Sequence, residues 1–94
     1  MLDKSALIPA LQARIKKLPV GHAIDLRTYK RDRSLVIVRL PDERLRIIED
    51  GFEKNEFQIE TQALPKLLKV LLKKEFPRSN KVRLYQLGEY EQRS

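Results

Sequence analysis

Apolar residues along the chain change their period three times, and each change marks a change of element. Over residues 61–76, Leu64, Leu67, Leu68, Leu71 and Leu72 recur at i, i+3, i+4, i+7 and i+8. That spacing predicts an amphipathic helix with Lys66, Lys69, Lys73 and Lys74 on its outer face. Thr61 as a cap, or Pro65 at the first helical position, opens it, and Pro77 follows its end. A second helix is predicted over residues 4–17, capped by Asp3 or Ser5, with a stripe of Ile8, Leu11, Ile15 and Leu18. Pro9 fits its start or first turn, and Arg14, Lys16 and Lys17 suit the negative end of its dipole.

Between the helices the period falls to two. Ile24, Leu26 and Thr28 alternate with Asp25, Arg27 and Tyr29, which reads as a half-buried strand, and the polar run 30–33 as a hairpin turn. Residues 35–40 are apolar on both faces, the pattern of the most buried, central strand. Pro41-Asp42 marks a turn and residues 44–49 a third strand. Two turn regions fit next, Asp50-Gly51 and residues 53–56, before a short strand in which Phe57 and Ile59 alternate with polar neighbours. Residues 81–85 form a last strand with Val82 and Leu84 inward. The order α–β–β–β–β–α–β with short turns predicts a two-layer α+β fold. It is an antiparallel meander of four to five strands with both helices on one face. Ile24, Leu26, Leu35, Ile37 and Phe57 supply the covered face. The expectation is one domain over residues 1–88 and a polar C-terminal tail over 89–94.

One internal echo accompanies this order. Ser5-x-x-Ile-Pro9 matches Thr61-x-x-Leu-Pro65, and Gly21-His22-x-Ile24-x-Leu26 matches Ser79-Asn80-x-Val82-x-Leu84. A duplicated helix–strand unit produces such an echo, and so does any helix–proline–strand junction.

Composition narrows the class. The 94 residues, 41% hydrophobic and 35% charged, suit one soluble domain able to bury a core. The absence of cysteine removes disulfides, thiol chemistry and zinc–thiolate sites, and fits a reducing, cytoplasmic setting. Residues 1–19 have only short apolar runs, neither a secretion signal nor a membrane span. The net charge is +7, yet residues 41–60 hold seven acids against three bases. The chain is thus basic at both ends with an acidic middle. Such a surface attracts an acidic partner, or the acidic stretch meets basic segments of the same chain or of a second copy.

Catalytic chemistry has little to stand on. His22 is the lone histidine, without a cysteine or second histidine to form a dyad or metal site. Glu49, Asp50, Glu53, Glu56 and Glu60 surround a hairpin and read as solvated tip residues rather than metal ligands. Gly51 and Gly88 stand alone, so no phosphate-cradling loop is present. The expectation is a non-enzymatic protein with no cofactor and no metal.

Binding has more support. Arg27, Tyr29, Lys30, Arg31 and Arg33 place four bases around an aromatic on the first hairpin, and Arg78, Lys81, Arg83 and Tyr85 repeat the theme. A tyrosine flanked by guanidinium groups holds single-stranded nucleic acid by stacking and phosphate contact. Arg39, Arg44 and Arg46 extend that basic face if they share it. A protein partner is the alternative. Val36, Val38, Leu40 and Ile48 fall on the face the helices leave open, where a second copy would cover them, so a homodimer is expected. In topology, the four strands and helix of residues 22–76 resemble the unit of the Whirly and PUR-repeat single-strand nucleic-acid binders. In those families a basic, aromatic sheet face holds the strand. The first helix and last strand depart from that unit, and the likeness implies the same use of the sheet face here.

Overall fold

A computed structural model describes residues 2–27, 33–51, 53–76 and 81–90, with the backbone path alone for 2–5 and 81. The elements are β1 (Leu2–Asp3), α1 (Lys4–Lys17), β2 (His22–Arg27), β3 (Ser34–Leu40), β4 (Arg44–Asp50), β5 (Lys54–Glu60), a 3-10 turn (Thr61–Ala63), α2 (Leu64–Glu75) and β6 (Lys81–Glu89). All strand pairs are antiparallel, in the order β1-β6-β2-β3-β4-β5. The predicted two-layer α+β fold is therefore present, with the two-residue β1 as an addition. β3, apolar on both faces, lies at the middle of the five full strands.

Strand alternation sorts the side chains. Ile24, Leu26, Leu35, Ile37, Leu45, Ile47 and Val82 join Leu7, Leu11, Ile15 and Leu18 of the α1 layer and Leu64, Leu68, Leu71, Leu72 and Phe76 of the α2 layer in one buried cluster. Each fully buried leucine or isoleucine there contributes about 1.5–3 kcal/mol. On α1 the buried position is Leu7, with Ile8 only half-buried against the core. Pro9 falls in the interior of α1, beyond the first turn, and removes one helical N–H donor there. Thr61 does not cap α2. It belongs to the 3-10 turn, and α2 begins with Pro65 in its first turn and no side-chain cap. Its C-terminus closes on Phe76, whose N–H donates to the Leu72 carbonyl at 2.9 Å.

Arginines flanking the middle strand satisfy both helix ends. Arg39 Nη1 donates to the Ile15 carbonyl and Arg33 Nη1 to the Glu75 carbonyl, each at 2.9 Å. These are last-turn carbonyls, where a cation is well placed, and that of Ile15 also accepts the Leu18 N–H at 3.1 Å. Arg39 thus points to the helix layer and does not extend a basic open face.

The expected solvated tip is partly buried. β4 runs to Asp50 and β5 begins at Lys54, so Asp50 and residues 54–56 of the two predicted turn regions belong to strands. Glu49, 1% exposed, faces the helix layer and receives Asn55 Nδ2 at 3.0 Å and Lys74 Nζ within 3.4 Å. Lys74 also holds Glu53 at 2.8 Å, so it is not part of a free outer face. Glu75, 2% exposed, accepts the Glu53 N–H at 3.3 Å. A Cβ at position 51 would collide with Glu75 Oε1 and with Arg33, so Gly51 is required for this close approach. The acidic middle therefore meets basic segments of its own chain, as one of the two charge readings anticipated.

β6 runs to Glu89, so the ordered structure extends into the predicted polar tail. Its register against β2 shifts between Ala23 and Ile24, leaving Leu87 as the extra residue and Gly88 at φ +73°. This is a β-bulge, and glycine suits its left-handed position. Tyr90 then donates its N–H to the Gly21 carbonyl at 2.9 Å and packs on Ala23, Val36 and Val38. In the echo noted above, the matching residues Leu26 and Leu84 stand directly opposite each other.

Candidate nucleic-acid interface

The face without helices presents even-numbered residues of β3, β4 and β5 beside odd-numbered residues of β2 and β6. One row across it reads Arg83, Arg27, Ser34, Asp50, Lys54, and the next Tyr85, Asp25, Val36, Ile48, Glu56. The basic and aromatic side chains gather on β2 and β6, while β4 and β5 alternate in sign. There Arg46 Nη2 donates to Glu56 Oε1, and Arg44 stands opposite Glu60.

The apolar patch expected at the centre is largely shaded within one chain. Val36 and Val38 are 8% and 5% exposed, covered by larger neighbours that include Ile48 and Tyr90. The need for a second copy to cover this face is correspondingly small.

At the β2–β6 side, Asp25, Arg27, Tyr85 and Leu87 line a concavity of about 260 Å³. The bulge that shifts the register also sets Leu87 at its rim, 43% exposed. Asp25 is 3% exposed and its Oδ2 accepts from Arg27 Nε at 2.6 Å. Its other oxygen, Oδ1, is buried without a hydrogen-bond partner. The hydrogen bond from Arg27 to Asp25, then their charge attraction, holds the Arg27 guanidinium above its ordinary pKa and keeps it charged. Arg83 Nη1 reaches the Tyr85 hydroxyl at 3.4 Å, which orients both groups at the same edge.

Of the nine predicted residues, Arg27, Arg83 and Tyr85 come together here, and Lys81 opens the same strand. Arg33 is directed to Glu75 and the helix layer. Tyr29, Lys30, Arg31 and Arg78 lie outside the described residues. Asp25 and Leu87 were not anticipated. A carboxylate between Ile24 and Leu26 within a strand, and a glycine inside a period-two run, were the available signals.

A larger concavity of about 470 Å³ lies on the helix side, lined by residues including Gln12, Lys16, Arg39, Glu43 and Gln62. Glu43 adopts φ +55° there, beside Asp42 at φ +60°. Among the described residues no three His, Cys, Asp or Glu side chains are placed to hold a metal ion. No described helix is long and apolar enough to cross a membrane. Comparison with protein-family models, curated proteins and solved structures finds no match.

Proposed function

We propose that this chain is a non-enzymatic binding domain that holds single-stranded nucleic acid on its helix-free face, across β2 and β6. The observation that carries the reading is the concavity in which Tyr85, Arg27 and Leu87 surround a buried carboxylate. Tyr85 and Leu87 offer a base a flat, partly apolar seat. Arg27 and Arg83, on neighbouring strands, supply charge for the flanking phosphates. Asp25 fixes Arg27 by a 2.6 Å hydrogen bond, so the guanidinium needs little ordering when it meets a phosphate.

The alternative is a protein-interaction module using the same face. The alternating charges of β4 and β5 favour it over that half of the sheet, where a polyanion would meet Asp50, Glu56 and Glu60 as well as bases.

Fluorescence anisotropy with labelled single- and double-stranded oligonucleotides, at low and near-physiological salt, tests the reading. Single strands should bind more tightly than duplex and persist at the higher salt. Arg83→Ala should weaken binding and reduce the salt slope by about 0.7, one phosphate contact on a single strand. Tyr85→Ala should cost about 1–3 kcal/mol of binding, one stacked base. Binding that vanishes with salt is nonspecific attraction to a +7 chain and rejects the site.

A further inference from the structure

The two long edges of the sheet are treated differently. On the β6 edge, β1 covers the first residues, with Leu2 opposite Val82 and Asp3 opposite Lys81, and the Leu87–Gly88 bulge distorts the end. Covering strands and bulges are standard protections against edge-to-edge pairing. β5, the other edge, has seven residues and no proline, glycine or bulge, and no outer partner among the described residues. Phe57 and Ile59 on its helix-side face remain half-buried against the core.

The hydrogen-bond phase of β5 decides which backbone groups face outward. Thr61 donates its N–H to the Glu43 carbonyl at one end of the β4–β5 hairpin, and Gly51 to the Glu53 carbonyl at the other. Odd-numbered residues of β5 therefore bond inward to β4, and the N–H and C=O groups of Lys54, Glu56, Gln58 and Glu60 point away from it. An antiparallel partner with the same sequence must pair even residues with even residues. Centring on Glu56 sets Glu56 opposite itself, and centring on Gln58 sets Glu56 opposite Glu60 twice. Centring on Phe57 sets Lys54 opposite Glu60 twice, Glu56 opposite Gln58, and Phe57 beside Phe57. Of these three registers, the ones that pair at least five residues of β5, only this last has opposite charges facing and no like charges directly opposed.

We propose that the β5 edge is the docking site for a second copy of this chain, antiparallel, with Phe57 on the two-fold axis. The axis is perpendicular to the sheet, so the helix-free faces of both copies lie on one side. The β2–β6 concavity is at the far edge and stays open in each copy. Dimerisation by this edge therefore stands independently of what that concavity binds.

Analytical ultracentrifugation of the full chain at about 1–100 µM tests the proposal, since a useful strand-addition dimer falls in that affinity range. The expected result is a concentration-dependent dimer. Gln58→Pro removes an outward N–H without touching the β4 ladder, and should leave a folded monomer with an unchanged circular-dichroism spectrum. Lys54→Glu, which creates two like-charge pairs, should weaken the dimer about tenfold, and adding Glu60→Lys should restore it. Because the chain has no cysteine, Phe57→Cys should give a disulfide-linked dimer on mild oxidation, whereas Asn55→Cys, opposite Ile59, should not. If the proline variant fails to fold, this cysteine pair decides. A wild-type monomer throughout the range overturns the proposal. So does a dimer that survives Gln58→Pro and Lys54→Glu but is lost with Ile48→Asp, which would place the contact on the open face. A monomer whose β5 edge is instead occupied by a foreign extended peptide overturns it equally.

Discussion

Replacing Asp25 by valine should make the protein more stable, and the size of the gain follows from the structure. The carboxylate is 5% exposed and its Oδ1 is buried without a partner. A buried, unsatisfied acceptor costs about 1–3 kcal/mol. The compensating interaction is the Arg27 hydrogen bond, but the Arg27 side chain is 38% exposed, so the pair retains only about 0.2–1 kcal/mol after screening by solvent. Valine also suits a strand, and its methyl groups would meet Val36 directly across the β2–β3 pair. The net expectation is a gain of about 1–2 kcal/mol, or roughly 4–16 °C in Tm at about 4–8 °C per kcal/mol for a domain of this size. Urea unfolding followed by circular dichroism measures it, with Asp25→Asn, which keeps the shape and polarity, expected to lie near wild type. Under the proposed function, the same valine variant should bind single strands with less preference over duplex than wild type does, because Arg27 is no longer held. That pattern, a site residue whose removal stabilises the fold, is common where function is maintained against stability. A loss of more than about 1 kcal/mol with an unchanged m-value would show that the carboxylate is structural and would refute the reasoning.

Two further outcomes are expected. Glu43 holds φ +55°, a region costing a side chain about 1–2 kcal/mol, so Glu43→Gly should be about 0.5–1 kcal/mol more stable than Glu43→Ala after allowing for glycine's greater unfolded-state freedom; equal thermal midpoints for the two variants would argue against that backbone. The hydrogen bond from Lys74, then that from Asn55, holds the Glu53 carboxyl below its ordinary 4.5, and the hydrogen bond to Glu53 raises Lys74 above its ordinary 10.5. Glu53's share of stability is thus present above about pH 4.5 and lost as the pH falls through its lowered value, and Lys74's share is present below about 10.5 and lost as the pH rises through its raised value. Chemical denaturation across pH should show Glu53→Gln flattening the acid limb, and an unaltered limb would mean that the pair does not form.

The layer architecture was legible because it rests on period alone. Alternation in β2 assigned Ile24 and Leu26 to the helix side and Arg27 to the other, and alternation in β6 likewise separated Arg83 and Tyr85 from Val82 and Leu84. What period cannot show is which polar residue the core will accept. Glu49 has the parity of Leu45 and Ile47, so its burial follows from the strand pattern, but the expectation of solvated tip acids overrode it. Lys74 makes that burial tolerable, from 25 residues away in sequence. Arg33 and Arg39 were unreadable for a related reason. Each satisfies the last turn of a helix, a demand that the arginine's own neighbourhood does not reveal.

These assignments alter what the net charge of +7 means. Arg33, Arg39 and Lys74 bind helix ends or buried and turn carboxylates, so three of the bases serve the seam between the layers. The acidic stretch divides by parity across the same sheet. Glu49 goes to the helix side, while Asp50, Glu56 and Glu60 go to the open face beside Arg44, Arg46 and Lys54. The β4–β5 half of the open face is therefore electrically balanced, with three acids facing three bases, and a polyanion gains little there. Among the described side chains, the β2–β6 half carries Arg27 and Arg83 against Asp25 alone, a small excess of basic charge beside the tyrosine. The proposed pairing of β5 with its own copy rests on the same balance, because an edge strand of uniform sign would repel itself in every register. One residue pattern thus separates two surfaces on a single sheet, the basic aromatic side proposed to hold a ligand and the charge-matched edge proposed to meet a second chain.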